Sequence, residues 1–248
     1  DYIDLRSGNK NGTHWLPAEV NTSIRPGWYY HKSQDSEVKS VDHLELIYYN
    51  SVGRNGNFLL NLPVDRRGLV HENDVAALNG LKERLDATFS ENLALNANVK
   101  ASNFRGSSSD YSPKNLTDGN PETFWATDDS DTTATLGIDF GTEKTFNVIA
   151  LNEYLPLGQR IEKVAIEIYQ NDEWEVIGNA TTVGRTRFIR IPKTTAQRVR
   201  INILESMAPP VLSEIQIYHR PHENYLLDSE IDFDKRMTWW RKDGFGMF

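Results

Sequence analysis

The stretch that decides the fold of the larger part of this chain is residues 164–176, VAIEIYQNDEWEV. Val164, Ile166 and Ile168 alternate with Ala165 and Glu167, the polar residues 170–173 come after Tyr169, and the alternation resumes at Trp174 and Val176. A period of two residues places successive side chains on opposite faces of a β-strand, and a polar turn between two such runs predicts a hairpin. The segment therefore predicts an antiparallel sheet with one buried face.

The same pattern extends on both sides of this hairpin, from about residue 90 to about residue 218. Val199, Ile201 and Ile203 alternate with polar residues, and Ile215 and Ile217 flank a glutamine. Short strands separated by turn residues, without a convincing helix among them, are typical of an antiparallel β-sandwich. We therefore predict a β-sandwich domain over residues 91–220.

Residues 1–90 carry a different pattern, in which helices and strands alternate. Four apolar residues at helical spacing precede Gly53, the apolar run 58–62 is typical of a strand buried on both faces, and Asn73 can cap a second helix. Helix, buried strand and helix in succession predict a parallel α/β unit.

The composition excludes several classes of function. The 248 residues include 27 Lys and Arg against 35 Asp and Glu, for a net charge of −8. This balance argues against a broad nucleic-acid surface, which needs clustered cations. Cysteine is absent, which excludes disulfides and zinc–thiolate sites. No apolar run approaches the roughly 20 residues of a transmembrane helix. We expect neither nucleic acid nor a membrane as partner, and the oligomeric state stays open.

Glu19 is the carboxylate with the most distinctive surroundings in the sequence. It lies between aromatic segments bounded by proline, without a Lys or Arg beside it. A carboxyl group in an apolar pocket has a raised pKa and can serve as a general acid. The alternative, which is the commoner situation for a carboxylate, is a solvated loop residue paired with Arg25.

Two segments of the first 90 residues resemble a known enzyme family. Residues 15–31, WLPAEVNTSIRPGWYYH, and 51–63, SVGRNGNFLLNLP, are similar to the later part of the catalytic barrel of family 29 α-L-fucosidases. Residues 239–248, WWRKDGFGMF, resemble that family's opening helix and first strand. The resemblance implies a multi-domain protein with a partial (β/α)8 TIM barrel, in which 1–90 is the C-terminal part and 221–248 the start, in permuted or excerpted order.

This resemblance also implies a function. The family consists of retaining exo-glycoside hydrolases that release terminal α-L-fucose from fucosylated oligosaccharides or glycoconjugates without a cofactor, which suggests a periplasmic or secreted protein. By motif, Glu19 is the acid/base. By their position near Glu19, His14, Trp15 and Trp28 are expected to line the sugar site, and the alternative for them is packing within the barrel loops. No motif matches the family's nucleophilic Asp. The alternative is therefore a non-catalytic, lectin-like carbohydrate-binding fragment.

The sandwich has a resemblance of its own. Residues 91–94, 99–102, 115–125 and 136–141 are similar to a discoidin or coagulation-factor-5/8 C-type module, a jelly roll of the galactose-binding-domain-like class. Many such modules are carbohydrate-binding modules of family 32. The resemblance implies sugar contacts from loop residues such as Phe104, Arg105 and Tyr154.

A calcium site is the last prediction from the sequence. Asp118, Asn120 and Thr123 place three oxygen ligands around a glycine turn, as in the loop that holds a structural Ca²⁺ in the resembling modules. Ca²⁺ takes roughly six to eight oxygens, so backbone carbonyls at or near Asn115 and a distant carboxylate such as Glu214 would complete the shell. The alternative is a simple tight turn.

Overall fold

The computed structural model describes residues 11, 13 and 18–231. In its first part, two parallel strands are each followed by a helix: β1 (Ala18–Ser23), α1 (Val41–Ser51), β2 (Gly56–Asn61) and α2 (Glu72–Phe89). The two strands pair in register over all six residues. The alternation of strands and helices predicted from the sequence is present. Two paired strands do not by themselves show the predicted partial barrel.

Both helices begin at side chains that satisfy an otherwise free backbone N–H. Ser40 Oγ accepts the N–H of His43 at the start of α1. At the start of α2, His71 Nδ1 accepts the N–H of Asn73 at 3.2 Å. The expectation that Asn73 itself caps this helix is wrong, because its side-chain amide instead donates to the Asp35 carbonyl.

The two faces of the β1–β2 sheet differ in exposure. One face packs on both helices through a cluster centred on Ile24, Leu44 and Leu81. On the other face Glu19, Asn57 and Leu59 are exposed, and Leu59 is 49% exposed. The sequence predicts that β2 is buried on both faces, whereas the described residues cover only one of its faces.

Residues 98–218 form an antiparallel sheet of seven strands. Its order is β4-β9-β5-β8-β6-β7, and β3 also pairs with β5. The strands are β3 (Asn98–Ala101), β4 (Trp125–Ala126), β5 (Ala134–Glu153), β6 (Ile161–Gln170), β7 (Glu173–Ala180), β8 (Arg187–Ser206) and β9 (Val211–Tyr218).

The long strands β5 and β8 allow one sheet to enclose a core. Each has 20 residues, and their pairing loses register between Asp139 and Lys144. Before this break β5 pairs with β3, and after it with β9. Such irregularities bend a strand and increase its twist. The arrangement is that of a β-sandwich, as the sequence predicts.

The core of the sandwich is built from the alternating residues of the sequence pattern. Val164, Ile166 and Ile168 are all buried in it. Trp125 is fully buried, and its Nε1–H donates to the Asn103 carbonyl at 3.0 Å. Trp125 is therefore a core residue and offers no ring face to a ligand.

An aromatic cluster joins the α/β part to the sandwich. The ring of Phe89 lies 5.2 Å from that of Phe188 and 4.9 Å from that of Tyr218, and Tyr49 packs beside them. Gly53 allows Phe188 to pack this closely, because a Cβ at position 53 would lie 2.6 Å from Phe188 Cδ2. These contacts fix the sandwich against α1 and α2.

A further helix, α3, is described over residues 225–231. Asn224 Oδ1 accepts the N–H groups of Leu226 and Leu227, and Leu227 is buried in the aromatic cluster. The predicted first barrel strand at the end of the chain lies outside the described residues. None of the described helices has the length and apolar character needed to cross a bilayer.

Candidate functional site

The first candidate site is the open face of the β1–β2 sheet. Glu19 is exposed on it, at the second position of β1 and opposite Asn57. The described residues do not place Glu19 in an apolar pocket. They also do not pair it with Arg25, which is fully buried and forms ion pairs with Asp74 and Asp35.

Arg25 organises the loop that follows β1. Its Nε–H donates to both carboxylate oxygens of Asp74, at 3.1 and 2.9 Å, and its Nη1 donates to Asp35 at 2.9 Å. The guanidinium also lies 4.8 Å from the centre of the Tyr30 ring. Arg25 and Asp74 are both fully buried. A buried ion pair with this many hydrogen bonds has one geometry, so it fixes the loop at the carboxyl end of β1.

Trp28 lies in this loop. Its side chain is 53% exposed, and its carbonyl accepts a hydrogen bond from Asn61 Nδ2 at the end of β2. Ligand-binding residues of parallel α/β folds gather at the carboxyl ends of strands. Trp28 lies at that edge, whereas Glu19 lies near the amino end of β1. His14 and Trp15 lie outside the described residues.

The second candidate site is a cavity of about 450 Å³ among the loops of the sandwich. This volume is within the range of roughly 300–1,000 Å³ that small-molecule sites occupy. Its lining comes from the connections β3–β4, β4–β5, β5–β6 and β8–β9. The lining combines aromatic, apolar and charged side chains: Arg105, Tyr111, Phe124, Asp129, Leu157, Arg160 and Pro209.

Two of the three residues predicted to contact sugar lie at this cavity. Arg105 lines it directly, and Tyr154 stacks on the lining residue Phe124 with ring centres 4.4 Å apart. Phe104 instead packs against the sandwich core. Sequence reasoning missed Phe124 and Arg160. The sequence shows that Phe124 and Trp125 are adjacent aromatic residues. It does not show which of the two rings faces the cavity.

Glu153, at the end of β5, holds the wall of the cavity. It is 3% exposed, and its Oε1 accepts the backbone N–H groups of Arg160 and Ile161 at 2.6 and 2.9 Å. Its Oε2 accepts the N–H of Gly184 at 2.6 Å. Burial raises the pKa of Glu153 from 4.5 to about 7, against the opposing effect of these three donors. The carboxyl group thus connects the end of β5 to the loop that carries Arg160 and to the segment that contains Gly184.

We expect Glu153→Gln to destabilise the fold by about 1–3 kcal/mol, because the amide leaves a buried N–H without an acceptor. The raised pKa predicts the pH dependence. Glu153 stabilises the native state fully below its unfolded pKa, and this contribution is lost as the pH rises to about 7. Denaturant unfolding of both proteins from pH 4.5 to 8 checks this. A wild-type advantage that grows with pH would instead mean that the N–H donors outweigh burial.

The third candidate site is the loop 115–123. Asp118 Oδ1 accepts the N–H of Asn120 at 2.8 Å, and Oδ2 accepts the hydroxyl of Thr123 at 2.7 Å. Asn115 Nδ2 donates to the carbonyls of Asp110 and Phe124, both at 2.9 Å. The structure thus brings all four predicted loop residues together. These bonds by themselves also describe a stable turn without a metal.

Glu214 on β9 favours a cation over the simple turn. It is 4% exposed, and within residues 18–231 it faces Asp118 and the backbone N–H groups of Gly119 and Asn120 without a well-formed hydrogen bond to either carboxylate oxygen. Burial, and next the negative charge of Asp118, raise the pKa of Glu214 to about 8. A buried carboxylate beside a second one is unfavourable unless a proton or a cation neutralises it.

The donor set limits what that cation can be. Over residues 18–231 no group of three or more His, Asp or Glu side chains could hold a metal ion. The remaining ligands would therefore be amide, hydroxyl and backbone oxygens. Such a set suits a hard cation of flexible coordination, as Ca²⁺ is, and not a transition metal.

Comparison with known proteins shows similarity over both parts of the chain. Residues 98–216 match the family "F5/8 type C domain". "Alpha-L-fucosidase 1" of Arabidopsis thaliana is 36% identical over 217 residues, which are 86% of this chain and 42% of that protein.

Solved structures give the same result. The crystal structure of SpGH29 is 38% identical with a TM-score of 0.81, covering 89% of this chain and 48% of that one. The GH29 fucosidase E1_10125 of Ruminococcus gnavus, in complex with fucose, is 32% identical with a TM-score of 0.81, covering 87% and 43%. The chain spans less than half the length of each of these proteins.

Proposed function

Because this chain contains an F5/8 type C domain and is homologous to GH29 α-L-fucosidases, we propose that it is part of a retaining α-L-fucosidase with an appended carbohydrate-binding module. The enzyme would release terminal α-L-fucose from fucosylated glycans. The observation that carries this proposal is the extent of the similarity, 87–89% of the chain in two fucosidase-family structures. A shared F5/8 type C domain alone would account for only residues 98–216.

The α/β part, within residues 1–90, would contribute strands to a (β/α)8 barrel. Parallel sheets occur almost only with both faces covered, yet one face of β1–β2 is left open by the described residues. In a barrel this face would point inward, and the carboxyl ends of the strands would border the active site. On the resemblance alone, residues 91–220 would be the module and 221–248 the opening of a barrel, in permuted or excerpted order.

The chemistry would need two carboxyl groups about 5–5.5 Å apart, which is the spacing of retaining glycosidases. We assign Glu19 the role of acid/base, which protonates the leaving oxygen and then deprotonates the incoming water. The nucleophile would be a carboxylate from a barrel segment that this sequence does not match. Trp28, with His14 and Trp15, would line the fucose site, since aromatic rings stack on the apolar faces of sugars.

The test is hydrolysis by the complete polypeptide that contains this chain. We expect release of fucose from α-fucosylated oligosaccharides, with α-fucose as the first anomer seen by proton NMR. The matching β-fucoside is the control and should not react. Release of β-fucose first would contradict retention, and no release would contradict the enzyme assignment.

A second candidate function is carbohydrate binding without catalysis, which the aromatic and arginine-lined cavity favours. In that case calorimetry would detect glycan binding by this chain, while the complete polypeptide would release no fucose. The two functions are compatible in one protein. Only the absence of hydrolysis would select the second.

We also propose a structural Ca²⁺ between Asp118 and Glu214. Asn115, Asn120 and Thr123 would supply further oxygens together with backbone carbonyls, in keeping with the buried carboxylate of Glu214 that faces Asp118. The ion would neutralise two adjacent carboxylates and hold the loop to β9. It would serve stability and not the hydrolytic reaction.

A further inference from the structure

The sandwich cavity offers hydrogen-bond donors and positive charge to a ligand. Arg160 Nε and Nη2 both donate to the Leu157 carbonyl, at 3.1 and 3.0 Å, and Nη1 donates to the Pro209 carbonyl at 2.7 Å. A guanidinium has five N–H groups, so these bonds leave two of them available. None of these partners carries a charge.

Arg105 is the second cation at the cavity. Its Nη2 pairs with Asp129, while its Nε–H is buried without a hydrogen-bond partner among residues 18–231. The Asp129 side chain is 87% exposed and is the one carboxylate that the described part of the chain contributes to the lining. The lining therefore holds two guanidinium groups against one carboxylate, in a chain whose net charge is −8.

The walls of the cavity are suited to a sugar ring. Phe124 stacks on Tyr154, with ring centres 4.4 Å apart, and Tyr111 lies 5.4 Å away at a tilt, so the position of the Phe124 ring is fixed. Leu157, 45% exposed, adds an apolar edge. A fixed aromatic ring can stack on the C–H face of a pyranose, and guanidinium groups bind carboxylates through paired N–H donors.

We propose that this cavity binds an acidic monosaccharide unit, a sugar ring that carries a carboxylate. Arg105 and Arg160 bind the carboxylate and Phe124 contacts the ring. A neutral sugar leaves the spare guanidinium donors without a charged acceptor, whereas a carboxylate engages them. The inference rests on the proposed carbohydrate-binding function and names its class of ligand.

Calorimetric titration of the full chain with matched pairs of sugars tests the proposal. The pairs are the methyl glycosides of galacturonate and galactose, and of glucuronate and glucose. We expect the acids to bind about tenfold more tightly, as charge-assisted hydrogen bonds predict. Added salt should reduce this preference, because it screens charges at an open site.

Two substitutions should change the preference in opposite directions. Arg105→Gln should weaken binding of the acids about tenfold and binding of the neutral sugars much less, because only the acids offer a charged acceptor. Asp129→Asn should strengthen binding of the acids alone, and a gain of affinity cannot come from misfolding. Arg198→Gln is the matched control, because Arg198 stacks on Tyr169 and does not line the cavity.

Three results would overturn the proposal. Equal affinity for acidic and neutral sugars would remove the acidic class but leave carbohydrate binding in place. No binding of any sugar would contradict both. Binding to phosphatidylserine vesicles in place of the sugar acids would assign the cavity, with exposed Leu157 and Met207, to a lipid surface.

Discussion

Glu19→Gln in the complete enzyme should slow hydrolysis of fucosides with poor leaving groups by about 10²–10⁴-fold, the usual contribution of a general acid/base. Fucosides with an activated aryl leaving group should keep their glycosylation rate, because such a group departs without protonation. Azide should restore turnover at the second step, since it needs no general base. Pre-steady-state and steady-state rates on both substrate types measure these effects.

Glu37→Gln is the matched control for this experiment. Glu37 is an exposed carboxylate in the connection that follows β1, so its loss should leave both substrates unaffected. The position of Glu19 at the beginning of β1 makes the outcome informative, because barrel active sites lie at the other ends of the strands. An equal loss on both substrates, without azide rescue, would make Glu19 a positioning residue.

Removal of calcium should lower the melting temperature of the sandwich by about 5–10 °C. This follows from roughly 2.7 kcal/mol of binding free energy at a hundredfold excess over Kd, and from about 2–4 °C per kcal/mol for a chain of this size. Glu214→Gln should abolish the response to added Ca²⁺, because it removes one of the two facing carboxylates. Thermal unfolding with chelator and with added CaCl₂ measures both effects.

Glu122→Gln tests whether this response is specific. Glu122 is an exposed residue of the same loop, and its backbone N–H donates to Asn120 Oδ1. Its replacement should preserve the calcium response. A melting temperature indifferent to both chelator and calcium would contradict the site and leave the loop as a hydrogen-bonded turn.

The element pattern of this protein could be predicted from its sequence because it depends on local spacing. Alternation of Val164, Ile166 and Ile168 with more polar neighbours predicts strands whichever sheet they join, and these three side chains are buried in the core. Even so, local rules fail where a partner is distant. His71 caps α2 in place of Asn73, since the Asn73 side chain bonds Asp35, 38 positions away.

The candidate sites were only partly predictable. The loop 115–123 is contiguous, so its oxygen donors can be listed from the sequence, whereas the cavity combines four separate connections. Phe124 and Arg160 meet there only because the strands between them fold back. Spacing along the chain carries no information about such a meeting.

The sequence by itself determined the alternation of helices and strands, the sandwich, the absence of thiol chemistry and the acidic balance. Each of these follows from residue type and short-range period. The tertiary structure decided which charges are neutralised. It pairs Arg25 with Asp74 across 49 positions and buries the carboxylate of Glu214 against that of Asp118, without a basic side chain to neutralise it among the described contacts. Burial and distance set the free energy of a charge, and both arise only when remote segments pack together.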